Sequence, residues 1–209
     1  VSMKKIFIVV IFASYFFHSG CFFHHQRSET EHDIVSLLSL DSTFVLDIRY
    51  ATENNFTKTK LYPVAIAKLR RQPAESLVAV NRELQQQGLR LKIYDAYRPL
   101  SIQRKLWEVV PDENYVANPN KGSRHNRGAA VDCTIVDSLG NELAMPTPYD
   151  DFTEKAWHTY DALPDSVKRN RELLKQTMMR HGFLPLNSEW WHYDFQGWEK
   201  FDILDEPLQ

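Results

Sequence analysis

Two short stretches hold the residue types that do chemistry: SRHNRGAAVD at 123–132 and EWWH at 189–192. His125 and Asp132 are seven positions apart, an odd spacing that would send them to opposite faces of one continuous strand. They converge only if the chain bends between them, and Gly128 is placed to supply that bend. Ser123 stands on the same loop, two residues ahead of the histidine. Glu189 and His192 meet the same parity problem, so one of the pair belongs at the strand's edge; with Glu189 at the entry, it can approach a metal held by His192 without ligating it. A carboxylate so placed suits a general base acting on water. Two neutral imidazoles and one carboxylate form a three-ligand shell with an open position, which suits catalytic zinc and a water whose pKa falls to roughly 7. Closed structural zinc sites take four ligands, usually including cysteine, and this chain has only Cys21 and Cys133. Each residue alone would more often be an ordinary surface or core group; the combination is far more constrained.

The elements that must position these residues follow from periodicity and turn chemistry. TFVLDIRY (43–50) reads as the first strand. PAESLVAVNRELQQQG has Ala74, Leu77, Val80 and Leu84 at helical spacing, Pro73 near its start and Gly88 just past its end. LRLKIYDAY alternates as a half-buried strand stopped by Arg98-Pro99, and LSIQRKLWEVV returns to helical spacing. A long polar loop spans 111–121, AAVDCTIVD is a strand, and AMPTPYDDF is an irregular connection. PDSVKRNRELLKQTMMRHGF is a helix, and EWWHYDF is a closing aromatic strand. Helices mixed with strands and hairpin-like turns, without strict βαβ alternation, predict an α+β single domain. Its mainly antiparallel central sheet is flanked by helices and carries the zinc site. His158 and His181, in or near helical sequence, read as partly exposed.

The chain as a whole sets further bounds. Its 209 residues, 43% of them apolar, are enough for one domain with a real core. Twenty-five Lys plus Arg against 27 Asp plus Glu, without a basic stripe, exclude the electrostatic footprint of a nucleic-acid binder. MKKIFIVVIFASYFFHSGC has two lysines, an apolar run from Ile6 to Phe17 and small residues before Cys21. That is the pattern of a signal peptide over residues 1–21. His18-Ser19-Gly20-Cys21 resembles a bacterial lipobox, with histidine where an aliphatic residue is usual, so a lipidated Cys21 would attach the protein to a membrane. Residues 22–40 read as a tether and 41–209 as the catalytic domain. Cys133, in an apolar run, reads as a buried thiol with no catalytic role. The expected location is the bacterial envelope or periplasm.

As a set, SRHNRGAAVD with EWWH resembles the zinc D-Ala-D-Ala peptidase family, and LDIRYATENNF with YDAYRP makes the chain similar to its D-alanyl-D-alanine dipeptidase branch, the vancomycin-resistance type. The resemblance spans about residues 45–198. It implies one zinc per chain held by His125, Asp132 and His192, with Glu189 as base and Arg98 aimed at the scissile carbonyl oxygen. It also implies substrate contacts from Ser123, Tyr50 and Asp150, the last with Asp151 as an alternative, and the free dipeptide D-Ala-D-Ala as substrate. A D,D-carboxypeptidase or peptidoglycan endopeptidase is the alternative on the same scaffold. A non-catalytic wall-binding lipoprotein is the alternative outside the enzymes, opposed by the presence of every expected ligand and the base. Export points to wall turnover or dipeptide salvage, because glycopeptide resistance requires destroying the dipeptide in the cytoplasm.

Overall fold

Every residue of β5 (Ala130–Val136) is buried, so this strand needs a neighbour on each edge and cover on each face. In the computed structural model, which describes residues 33–209, β5 is the middle of a five-stranded sheet. The order is β2 (Val45–Leu46), β4 (Arg90–Asp95), β5, β7 (His192–Phe195) and β6 (Phe183–Pro185). Only the β2–β4 pair is parallel, and the others are antiparallel, as the sequence predicts. A separate two-stranded antiparallel sheet joins β1 (Ile34–Ser36) to β3 (Lys68–Arg70).

The helices are α1 (Leu37–Leu40), α2 (Arg71–Gln85), α3 (Leu100–Val109) and α4 (Asp165–Arg180). Ala74, Leu77, Val80 and Leu84 of α2 are buried, so its predicted apolar face is the face it packs. Pro73 lies in its first turn, where a missing N–H costs nothing, and Gly88 follows its end at φ +73°. α2 and α4 pack on each other, α2 against β4 and α4 against β5 and β6. Side chains of β7 alternate accordingly: Tyr193 faces the α4 side, beside Arg171 and Glu172, while His192 faces away.

The structure departs from the sequence expectations in several places: EWWHYDF is a strand only from His192, the helix read through Phe183 ends at Arg180 with Phe183 opening β6, and two further departures lie near the start of the domain. The run 43–50 is a strand only at Val45–Leu46; a 3-10 turn at Arg49–Ala51 then tucks Tyr50 into the core, closed by the Ala51 N–H on the Ile48 carbonyl. Residues 34–40, assigned above to the tether, belong to the folded domain, because β1 pairs with β3 and Leu37 is fully buried. The export segment, Cys21 and the first part of the tether lie outside the described residues.

The predicted bend is present. His125–Arg127 form a single 3-10 turn, capped by Gly128 in the left-handed region at φ +64°. A Cβ there would meet Ile34 Cδ1 at 2.6 Å and the Arg70 backbone nitrogen at 3.1 Å, so the turn is also where β1 and β3 press against the site loop. Gly88 has a similar φ of +73° but nothing within 4 Å of its Cβ position. Gly88→Ala should therefore cost only the left-handed penalty, about 1–2 kcal/mol, and Gly128→Ala clearly more. Equal losses in denaturant unfolding would show that the close approach at Gly128 carries no weight.

Candidate metal centre and active site

The sheet register builds the site. Asp132 of β5 pairs with His192 of β7 on one side and with Asp95 of β4 on the other, so the three form a row across neighbouring strands. The β4–β5 register shifts between Ile93 and Asp95, a bulge that turns Asp95 toward Asp132. The loop before β5 then docks on the end of β4: the Arg98 N–H bonds to the His125 carbonyl at 3.1 Å, and Asn126 Nδ2 donates to the Arg98 carbonyl at 2.8 Å. This docking swings His125 over Asp132.

The three side chains meet tip to tip. His192 Nδ1 lies 2.9 Å from Asp132 Oδ1, His125 Nε2 lies 3.2 Å from His192 Nδ1, and His125 Nε2 lies 3.4 Å from Asp132 Oδ1. Ligand distances of about 2.0–2.1 Å at tetrahedral angles separate neighbouring ligand atoms by about 3.3 Å, so the triangle has the size that zinc requires. The outer atoms are engaged elsewhere. His125 Nδ1 donates to the Ala96 carbonyl at 2.7 Å, and His192 Nε2 donates to Asp194 Oδ1 at 2.9 Å. Asp132 Oδ2 accepts from the Tyr149 hydroxyl at 2.9 Å. With their protons on those outer nitrogens, both neutral rings aim lone pairs at a carboxylate oxygen. Three acceptors cannot satisfy one another, but a cation at their centre satisfies all of them. His125, Asp132 and His192 are all buried and can hold such a metal ion together.

The electrostatics express the same demand. Burial alone would raise the Asp132 carboxyl, yet His125 and His192 outweigh it and hold it far below the usual carboxylate range. Burial opposes charge on His192, but Asp194 and Asp132 lift it well above the usual histidine value. Without a metal, these carboxylates favour a proton on that ring.

A cavity of about 220 Å³ opens over the triangle, lined in part by Tyr50, Arg98, Ser123, Asp150 and Glu189. Glu189 sits in the turn before β7, its N–H on the Leu186 carbonyl, with Oε2 3.9 Å from His192 Nδ1. Burial, reinforced by Asp132 against the opposing His192, lifts its carboxyl to about 7. Arg98 is buried, with Nε and Nη2 on Asp95 Oδ2 at 3.0 and 2.7 Å and Nη1 on Gln103 Oε1 at 2.9 Å. Its pairing with Asp95 and its place beside the cavity coexist, because a guanidinium has N–H groups left over. Asp150 stands in the left-handed region at φ +60°, and burial followed by Asp132 and Glu189 pushes its carboxyl well up. The Tyr50 hydroxyl approaches Asp150 Oδ2 at 3.4 Å, and the Tyr50 ring lies under the Arg98 guanidinium at 5.1 Å. Ser123 Oγ accepts the His125 N–H at 3.2 Å. Asp151 instead accepts the Thr153 N–H at 2.9 Å, a local turn contact outside the cavity lining.

Tyr149, Asp194 and the Ala96 carbonyl were not foreseen. Tyr149 adjoins Asp150 in the sequence, and Asp194 follows His192 by two, but only the fold gives them their partners. His158, expected to be partly exposed, is buried in a loop against Tyr193, and its burial drops it to about 4. His181 ends α4, partly buried and bonded to Glu83. Cys133 is a free buried thiol.

Because Asp194 and Asp132 favour a proton on the His192 ring, a metal ion entering the triangle competes with that proton. Apparent zinc affinity should fall as pH is lowered, and calorimetric titration at pH 7 in buffers of different ionisation enthalpy should show release of about one proton per ion. A heat independent of buffer would contradict this charge assignment.

The D-ala-D-ala dipeptidase family model matches residues 30–205. A D-alanyl-D-alanine dipeptidase of Escherichia coli (strain K12) is 34% identical over 176 residues, which is 84% of this chain and 91% of that protein. One of Enterococcus faecium is 29% identical over 168 residues, 70% of this chain and 83% of that protein. Matched over nearly all of its described residues, the chain belongs to the D-Ala-D-Ala dipeptidase family.

Proposed function

We propose that this protein is a zinc-dependent dipeptidase that hydrolyses free D-alanyl-D-alanine. The observation that carries this reading is the triangle of acceptors formed by His125, Asp132 and His192 at the floor of a small, partly open cavity, with Glu189 beside it. Zinc held there would supply Lewis acidity, polarising the scissile carbonyl and lowering the pKa of a water at the site.

The chain's own residues supply the remaining parts. Glu189, buried beside the triangle with Oε2 3.9 Å from His192 Nδ1, is placed to take a proton from the attacking water and return it to the leaving amine. Arg98 is fixed by Asp95 and Gln103, so its remaining N–H groups can meet the developing oxyanion without reorganisation. Asp150, half-buried at the cavity wall, is suited to pair with the substrate's ammonium group, and Tyr50 and Ser123 complete that wall.

Substrate length is set by the roof. The Phe56 and Phe152 rings stand 5.6 Å apart, and those of Tyr115 and Phe152 stand 5.1 Å apart, each from a different loop. These rings line one side of a partly open cavity of about 220 Å³, below the roughly 300–1,000 Å³ usual for ligand pockets. Such a space favours a free dipeptide over a peptidoglycan stem, and hence a dipeptidase over a carboxypeptidase. Family membership supports the same substrate, since both relatives named above are D-alanyl-D-alanine dipeptidases.

Glu189→Gln should reduce D-Ala-D-Ala hydrolysis by about 10²–10⁴-fold while zinc content stays at one ion per chain. Near-normal turnover by that variant would remove Glu189 as the base. In the same assay, Phe152→Ala should raise activity on a pentapeptide stem relative to the dipeptide; an unchanged ratio would mean that these rings do not govern length.

The apolar run from Ile6 to Phe17 supports an exported enzyme, held at the membrane if Cys21 is lipidated and serving dipeptide salvage or wall turnover. Fractionation of cells producing the full chain should recover it from the envelope, and recovery in the cytosol would refute export.

A further inference from the structure

We propose that Tyr149 is a positioning residue that holds Asp132 to a single coordinating oxygen and thereby keeps the fourth place around the metal free. The inference rests on the metal reading of the site and concerns how that site stays open.

Asp132 divides its two oxygens between two tasks. Oδ1 faces His192 Nδ1 at 2.9 Å and His125 Nε2 at 3.4 Å, while Oδ2 accepts the Tyr149 hydroxyl at 2.9 Å. A carboxylate can ligate a cation through one oxygen or both. Here the second oxygen is already engaged, and rotating it inward would break a buried hydrogen bond and leave the phenol without a partner. Two-oxygen ligation would also fill the position that water and the scissile carbonyl need, so the restraint bears directly on catalysis.

Tyr149 is built to hold that position. Its ring is buried, stacks on Tyr94 at 4.7 Å and meets Trp191 edge-on at 5.5 Å, with the Arg49 guanidinium 5.9 Å from its centre. The following residue, Asp150, takes the left-handed conformation at φ +60°. That conformation, uncommon for a residue with a Cβ, lets two consecutive side chains serve one site: Tyr149 reaches the metal ligand and Asp150 lines the cavity. Neighbouring Tyr94 is the natural control. It shares the stack, but its hydroxyl donates to Glu142 at 2.8 Å, away from the ligands.

The test compares the wild type, Tyr149→Phe and Tyr94→Phe, each loaded with cobalt(II) in place of zinc. Tyr149→Phe keeps the ring and its packing and loses only the hydroxyl. Its visible d–d absorption should lose intensity, as it does when a tetrahedral cobalt centre gains a ligand. Its zinc affinity, measured by competition with a chromophoric chelator, should weaken by about 10-fold or more. Tyr94→Phe should match the wild type in both. Superimposable spectra for the wild type and Tyr149→Phe would overturn the proposal even if affinity fell, and so would an equal spectral change in Tyr94→Phe. A wild type that binds neither metal would instead bring down the metal reading itself, a failure distinct from equal spectra among loaded proteins.

Discussion

Asp132 is a carboxylate out of water with two imidazole nitrogens aimed at one of its oxygens, and the surrounding structure is arranged to neutralise it. A buried, unpaired charge is expensive, and three converging acceptors add repulsion to that cost. Only positive charge at the centre relieves both. Asp194 and Asp132 favour a proton on His192, and a metal ion would supply the same charge in its place, so a geometry that is costly without positive charge is one suited to bind it.

A second neutralisation sits one strand away. Asp95 lies across the ladder from Asp132, and like charges in directly opposed positions destabilise a sheet. Arg98 answers Asp95 with contacts at 3.0 and 2.7 Å, while the Tyr62 hydroxyl and the Ala96 N–H occupy the other Asp95 oxygen at 2.8 and 2.9 Å. Breaking such a buried pair from one side costs about 3–5 kcal/mol, so Arg98 supports the fold while also lining the cavity. The same group of residues also seats the His125 ring through the Ala96 carbonyl, which ties the metal ligand to the end of β4.

The parts proposed to recognise substrate are less regular than those that could hold a metal. Ligands come from strands or from a turn locked by Gly128, whereas Asp150, Phe56, Tyr115 and Phe152 come from loops. That division matches their tasks. Ligand atoms must be held to fractions of an ångström, and a roof over a small cavity must allow entry. The left-handed backbone at Asp150 stores strain at the junction of the two regions, supported by the packing of Tyr149 beneath it.

Much of this was legible in the sequence because it depends on local spacing. The odd separation of His125 and Asp132 required a bend, Gly128 was the residue able to make it, and one of Glu189 and His192 had to lie at a strand's edge, which the structure resolves by starting the strand at His192. The apolar faces of α2 and α4 followed from their periodicity, since helical packing repeats within a few turns of chain. What remained out of reach depends on register and on contacts between distant segments. No spacing rule says that a bulge in β4 sets Asp95 against Asp132, that Tyr149 takes the second oxygen of Asp132, or that residues 34–40 pack under the site loop. By itself the sequence determined which groups are chemically competent and roughly where the chain turns. The tertiary structure decided which of them face one another, because cross-strand pairing and loop docking answer to the whole core rather than to neighbours along the chain.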